Sequence, residues 1–427
     1  MKKLRIAAAL AAAALAATAC GGGSGDGAQT LTIWHYEDPE GGIGKAWTEA
    51  IAEFRKTHPD VTVEFEEKSF EQMQKTAPMV LNSDGAPDVM EYNKGNATTG
   101  LLARQGLLTD LTGEVTKRGW DKLLAPSLQT TAKYDAKGVM GGDKWYGVPN
   151  YAEYVMVYYN KDLFEKHDVK VPTTLEEFTA GLDTFTKAGV TPIAMAGNEY
   201  PGQHLFYEFV LNRAQRSWVD DYQRYTGKVD FNGPELAGAA QTFADWVSKG
   251  YLAKDSAGIK AEAMGTAWMA GKYPVVISGT WWYERFTSEV KNFAWGTFLF
   301  PGNRLHPGSA GNHWVVPTRS DSKDLAQEFI ALTMSRRIQN RIANEGAVAV
   351  AADPGAVTNP KYKDLATTYQ RLVAQDGLAF YPDWPVPGYY DTLLAGTQTL
   401  LNRSKSPQQF LGDMRKPYED NLADIGG

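Results

Sequence analysis

The chain has 427 residues, with 43 Lys/Arg against 50 Asp/Glu and a net charge of −7. That balance argues against nucleic acid, which needs concentrated basic side chains. One cysteine allows no intrachain disulfide, so the fold rests on its apolar cores. The length exceeds what a single core serves and predicts two domains.

Lys2, Lys3 and Arg5 precede an alanine-rich apolar run from Ile6 to Ala17, which ends in Ala17-Thr18-Ala19-Cys20. This is the pattern of a secretory signal with small residues at the cleavage point, expected over residues 1–19. The lone Cys20 directly after it resembles a bacterial lipobox, with Ala17 where Leu is usual. The resemblance implies lipid attachment at Cys20 and an exported protein held to the outer face of the cytoplasmic membrane by that lipid; ordinary secretion with a free thiol is the other outcome. Cleavage would remove three basic residues and take the net charge from −7 to −10. Residues 20–29 then form a linker whose Gly21–Gly27 stretch reaches roughly 15 Å as a random coil. No later stretch has the ~18 consecutive apolar residues of a membrane helix.

Ordered structure is expected from Leu31-Thr32-Ile33-Trp34, a β-rich run. Ala46, Trp47, Ala50, Ile51 and Phe54 follow at helical spacing, and His58-Pro59-Asp60 stops that helix. Val61–Phe65 alternates as a second strand, residues 69–81 read as helix, and Pro87–Tyr92 as a third strand. This β-α-β-α-β order predicts a parallel sheet covered by helices. Ligands of such sheets bind beyond the carboxyl ends of the strands. Those ends carry His35, Tyr36, Glu37 and Asp38 after the first strand, and Tyr92, Asn93 and Lys94 after the third. Tyr154–Asn160 and Val275–Ser278 read as buried strands. Helices are expected at 175–188, 204–216, 234–249, 323–343 and through most of 389–423, with a glycine-rich passage at 307–311.

The six histidines, at 35, 58, 167, 204, 306 and 313, are scattered and show no metal-ligand spacing. No nucleophile elbow or phosphate-binding loop occurs, so neither a metal nor a cofactor is expected. The aromatic set is large, with 12 Trp, 21 Tyr and 17 Phe. Most of it must fill cores. Trp281-Trp282-Tyr283 and Tyr381-Pro382-Asp383-Trp384, however, sit beside turn-forming residues. An aromatic ring against a sugar face, with carboxylates or amides around the hydroxyl rim, is a carbohydrate site. Tyr36, Tyr92, Trp281 and Trp384 are candidates for the first role; Asp38, Asn93, Glu153, Asn312 and Asp383 for the second. A surface glycoside hydrolase stays open, because 50 acidic residues can always supply a carboxylate pair. So does a receptor for a cationic solute such as a polyamine.

Several stretches resemble the extracellular solute-binding proteins of family 1, the carbohydrate-binding subunits of ABC importers. They are Ala86-Pro87-Asp88-Val89, Tyr146-Gly147-Val148-Pro149, Tyr158–Phe164, Val171–Phe178, and Ala263-Met264 with Gly271–Trp281. The resemblance spans about residues 30–425. It implies an α/β, two-lobed periplasmic-binding-protein-like fold (type II), each lobe a sheet flanked by helices. Chain crossings are implied near 149–153, 308–314 and 347–353. The lobes would be 30–150 with 314–347, and 151–313 with 348–427. It places Tyr36 and Asp38 at the first-lobe rim and Tyr92 and Asn93 at the end of the third strand. Glu153 falls in a crossing, Trp281 at the stacking position, Asn312 and His313 at the second crossing, and Trp384 in the last loop. Asn198, His204, Trp282 and Asp383 complete the candidate set. The implied function is non-catalytic capture of an oligosaccharide by a monomer that hands it to ABC permease subunits. A basic residue that some relatives carry after the first strand is Pro39 here, which argues against a maltodextrin-identical substrate. Xylo-oligosaccharides, trehalose and other α-glucosides are the expected class.

Overall fold

The computed structural model describes residues 29–426; the expected signal segment, Cys20 and the glycine stretch after it lie outside them. Strands β1 (Gln29–His35), β2 (Val61–Glu67) and β3 (Val89–Tyr92) are joined through helices α1 (Gly42–Thr57) and α2 (Phe70–Val80). β1 pairs in parallel with β2 from Gln29↔Val61 to His35↔Glu67, and with β3 at Ile33↔Val89. Leu31, Ile33 and His35 are buried and the residues between them less so, the period of two that gives a strand one inner face. α1 buries Ala46, Trp47, Ala50, Ile51 and Phe54, the five positions whose spacing predicted it. α2 begins where the Ser69 hydroxyl accepts from the Gln72 amide at 3.1 Å.

The ribbon β4 (Lys133–Tyr134) with β5 (Lys144–Trp145) precedes β6 (Val148–Pro149) and the long β7 (Ala152–Asn160). Then come β8 (Ile193–Ala194), β9 (Val275–Gly279), β10 (Trp295–Phe298), β11 (Gly308–Ala310) and β12 (His313–Val315). Two principal sheets result, ordered β2-β1-β3-β12-β6 and β10-β7-β9-β8, with β11 also on β7. β12 returns to the first sheet and lies antiparallel to both β3 and β6. The chain therefore changes sheet at Asn150-Tyr151, between β6 and β7, and again at Gly311-Asn312, between β11 and β12. A third connection runs alongside, where the Ala152 amide donates to the Val348 carbonyl at 2.6 Å.

The expected helix over 323–343 is two helices, Lys323–Thr333 and Arg336–Asn344. Ser335 breaks it by capping the second, its hydroxyl accepting from the Ile338 amide at 3.4 Å. The helix expected over 204–216 likewise stops at Leu211, and a separate one runs Arg216–Arg224. Nine of the twelve tryptophans are buried, so the aromatic surplus is mostly core. In the first lobe Trp314 meets Trp47 at 5.2 Å and Phe329 at 5.3 Å between ring centres; in the second, Trp246 meets Phe209 at 4.7 Å and Phe178 at 5.7 Å.

The broken helix places Gln339 at the junction of the connections. Its side chain is fully buried and uses both ends. Nε2 donates to the Asn150 carbonyl at 2.9 Å and the Thr333 carbonyl at 3.0 Å. Oε1 accepts from the amides of Val350 at 3.0 Å and Ala351 at 3.2 Å. One amide thus ties the first connection to the third. Gln339→Leu keeps the volume but strands backbone groups on both. We expect a loss of about 2–4 kcal/mol in urea-unfolding free energy, and a value within about 0.5 kcal/mol of wild type would show the pin to be dispensable.

Candidate functional site

A cavity of about 250 Å3 opens beside the sheet-changing connections. Its floor comes from the ends of the first-sheet strands and from the connections themselves: Tyr36 and Glu37 follow β1, Asn93 and Lys94 follow β3, and Tyr151, Glu153 and Asn312 belong to the connecting segments. Phe70 and Glu71 open α2 on one wall; Tyr200, Trp281 and Tyr381 form the other. Phe70 and Tyr200 meet edge-to-face at 6.1 Å.

Lys94 Nζ lies 2.6 Å from Glu153 Oε1, with both side chains almost wholly buried. The Lys94 loop is held by the Thr99 hydroxyl, which donates to the Asn93 carbonyl at 2.6 Å, and by the Thr98 hydroxyl, which donates to the Lys94 carbonyl at 2.7 Å. Gly95 follows at φ +107°, and a Cβ there would lie 2.6 Å from Trp384, so only glycine lets the loop close over that indole. The Lys94 ammonium stands 5.1 Å from the Trp384 ring centre and 5.7 Å from that of Tyr381, within cation–π range. Trp281 sits in a turn directly after β9 and folds back over Gly279, where a Cβ would lie 1.8 Å from the indole.

Asn312 Nδ2 donates to the Tyr151 hydroxyl at 2.6 Å and reaches Glu37 Oε1 at 3.3 Å. Burial, reinforced by the charge of Glu153, raises the Glu37 carboxyl to about 7, against the pull of Tyr151, Asn312 and Lys94. Behind it Glu91 is fully buried and held by Asn150 Nδ2 at 2.7 Å; burial and the Glu37 charge push it upward as well. Asp383 accepts from the Tyr200 hydroxyl at 2.6 Å and is raised by burial to about 6.

Five sequence candidates meet in this cavity: Tyr36, Asn93, Glu153, Trp281 and Asn312. The others lie outside its lining. Asp38 caps the approach to α1, accepting from the amides of Glu40 and Gly41 at 2.9 Å. Tyr92 and His313 are neighbours on paired strands and are buried. Trp282 stacks on Phe286 at 5.2 Å beneath the turn. Asn198 is exposed and bonded to Gln398. His204 is fully buried behind Tyr200, at 4.9 Å between rings, and burial lowers it to about 3. Asp383 supports Tyr200 from behind. Trp384 is 1% exposed and lies in the core under Gly95, which corrects its expected place as an open platform. The residues missed are Phe70, Glu71, Tyr151, Tyr200 and Tyr381, with Glu37 and Lys94 noted only as strand-end residues. Five of these seven, Glu37, Lys94, Tyr151, Tyr200 and Tyr381, are within two positions of a named candidate. Among the described residues no group of three or more His, Cys, Asp or Glu could hold a metal ion, and no helix is long and apolar enough to cross a membrane.

The family model described as bacterial extracellular solute-binding protein matches residues 38–339. The chain belongs to that family. The diacetylchitobiose binding protein of Streptomyces coelicolor is 26% identical over 412 residues, 93% of this chain and 91% of the relative. The maltodextrin-binding protein of Bacillus subtilis is 24% identical, covering 72% and 69%. A solved chitin oligosaccharide binding protein aligns over 92% of this chain and 99% of its own with a TM-score of 0.78 at 20% identity. Maltose-bound MalE3 of T. maritima aligns at 0.75 and 18% identity, covering 92% and 100%. The fold is thus the two-lobed α/β fold expected, and the family consists of solute-binding proteins rather than enzymes.

Buried carboxyls make stability depend on pH. Glu37 and Asp383 hold protons more tightly folded than unfolded, and Glu91 and Glu208 are shifted the same way by burial. The contribution of Glu37 and Asp383 is complete below their unfolded values and is lost as pH rises through about 6 to 7. The buried His35, His204, His306 and His313, held neutral by burial, act in the opposite sense up to about pH 6.5. The test is therefore a difference: the unfolding free energy of wild type minus that of Glu37→Gln should fall as pH rises from about 5 to about 7. A difference that is flat or rises over this interval would contradict the assignment.

Proposed function

We propose that this chain is the receptor component of an ABC importer for a short oligosaccharide, binding it between the lobes without turnover. The lobes would be residues 30–150 with 314–347, and residues 151–313 with 348–427. The observation that carries the reading is the composition of the cavity. An indole and three phenol rings (Trp281, Tyr36, Tyr200 and Tyr381) surround a floor of carboxylates, amides and one ammonium. Rings cover the C–H faces of a pyranose, and the polar floor meets its hydroxyls. Export with acylation of Cys20 would tether the receptor beside its permease, and two or more acyl chains give stable anchoring.

A ligand touching both walls favours the closed arrangement by its differential contacts, and closure between two lobes is a known mode of such receptors. Micromolar affinity corresponds to about −8 kcal/mol. One stacked indole and a few hydrogen bonds to charged groups, at roughly 1.5–3 kcal/mol each, are sufficient for that.

Calorimetric titration against xylobiose, trehalose, maltose and the diacetylchitobiose named for the Streptomyces relative tests the reading. At least one should bind with a dissociation constant near or below the micromolar range. Trp281→Ala should weaken that binding more than about tenfold with little change in melting temperature, because the indole is only partly buried. Unchanged affinity in this variant would show the site to be elsewhere. Shorter products after incubation with an oligosaccharide would replace the receptor reading with a hydrolase.

A further inference from the structure

We infer that the captured carbohydrate carries a protonated amine, so that the ligand class is an amino sugar with a free amino group. This rests on the reading of the cavity as a carbohydrate site and names the ligand more narrowly.

The floor holds Glu37 and Glu153 but a single cation, Lys94, which Glu153 already engages at 2.6 Å. Glu37 is left with the neutral donors Asn312 and Tyr151. The rim repeats the imbalance. Glu71 lines the mouth, and the nearby Lys260 ammonium is taken by Glu199 at 2.9 Å. Glu91 lies behind the floor and Asp383 behind the wall, and among the described residues neither has a cation within ion-pair distance. His313 is close enough to feel Lys94 but is buried and held neutral, so it brings no charge.

The Tyr36 side chain lines the cavity, and its buried hydroxyl, both donor and acceptor, has no hydrogen-bond partner among the described residues. It stands in the field of Glu91, Glu37 and Glu153. An ammonium has three donors and no acceptor, and it suits a pocket of unpaired acceptors better than a hydroxyl, which must also be given a proton. The ring faces of Tyr36, Tyr200, Trp281 and Tyr381 favour a cation over a neutral group through their quadrupoles. A positive charge beside Glu37 offsets the burial that makes it retain its proton, so binding should release a proton near neutral pH.

Three β-1,4-linked disaccharides that differ only at carbon 2 make the test: diglucosamine with free amines, N,N′-diacetylchitobiose and cellobiose. Titration calorimetry at about pH 6 should give diglucosamine at least about tenfold tighter binding than either neutral sugar. Its affinity should fall as salt is raised while theirs does not. Titration in two buffers of different ionisation enthalpy should show net proton release with diglucosamine only. Glu37→Gln should bring the affinity ratio of diglucosamine to cellobiose toward one; the salt and proton measurements need only the wild-type protein. Neutral sugars binding as tightly as the diamine would overturn this inference and leave the receptor reading standing. Spermidine binding with no binding of any sugar would overturn both.

Discussion

The Lys94–Glu153 pair is the constraint around which the cavity is arranged. Taking two charges out of water costs several kcal/mol each, and only close, well-supported geometry repays it. Here the separation is 2.6 Å and both side chains are nearly inaccessible. One partner follows the last strand of the β-α-β-α-β unit, and the other opens the strand that begins the second sheet. The pair therefore fixes where one sheet's end stands relative to the other's beginning. It also consumes the one ammonium that the described residues bring to the cavity lining. Burial, with the Glu153 charge beside it, therefore raises the Glu37 carboxyl against the weaker pull of its amide and phenol donors.

The second constraint is the bundle of connections beneath that pair. The Asn150 amide donates to the Asn312 carbonyl at 3.1 Å, the Asn150 carbonyl accepts from Gln339, and its side chain holds Glu91. Asn312 in turn reaches Tyr151 and Glu37 with its own side chain. Backbone at a change of sheet cannot satisfy itself with ladder bonds, and buried amides must find partners. The Gln339 side-chain amide, Asn150 Oδ1 and the Asn312 backbone carbonyl provide them. The same residues that make the connections definite also carry the cavity floor, so any shift at the connections is felt where a ligand would sit.

Much of this was legible in the chain. The helical spacing of Ala46, Trp47, Ala50, Ile51 and Phe54 names a face that is buried throughout. The first three strands fall in order and in parallel register. The candidates that missed the cavity share a cause. At the end of a strand successive side chains point to opposite sides, so an uncertainty of one residue exchanges the crevice for the core. Tyr92 faces the core and Asn93 the cavity; Trp282 packs on Phe286 and Trp281 lines the wall. Tyr381 lines the wall where Trp384 was expected, because Gly95 admits the indole beneath the loop, a tertiary approach that no local pattern announces. Asp88, in a stretch that resembled the family, holds strand edges together instead. It accepts from the Thr32 amide at 2.9 Å and the Ser320 hydroxyl at 2.7 Å. The break at Ser335 was hidden because apolar spacing runs through it on both sides.

A site of this kind works against the stability of the protein that carries it. Glu37 and the fully buried Glu91 lie near one another, and their proton affinities rise because burial and their mutual repulsion outweigh the pull of Lys94. The Tyr36 hydroxyl is desolvated without a partner. A core optimised for stability would replace such groups with packed apolar side chains. Their presence at the floor of a cavity, next to rings that a sugar face can cover, means that the unsatisfied polar capacity is available to a ligand. Binding then relieves a cost already present in the empty protein, and selectivity follows from which group can relieve it. A neutral hydroxyl satisfies one acceptor while asking for a donor, whereas an ammonium satisfies several and asks for none.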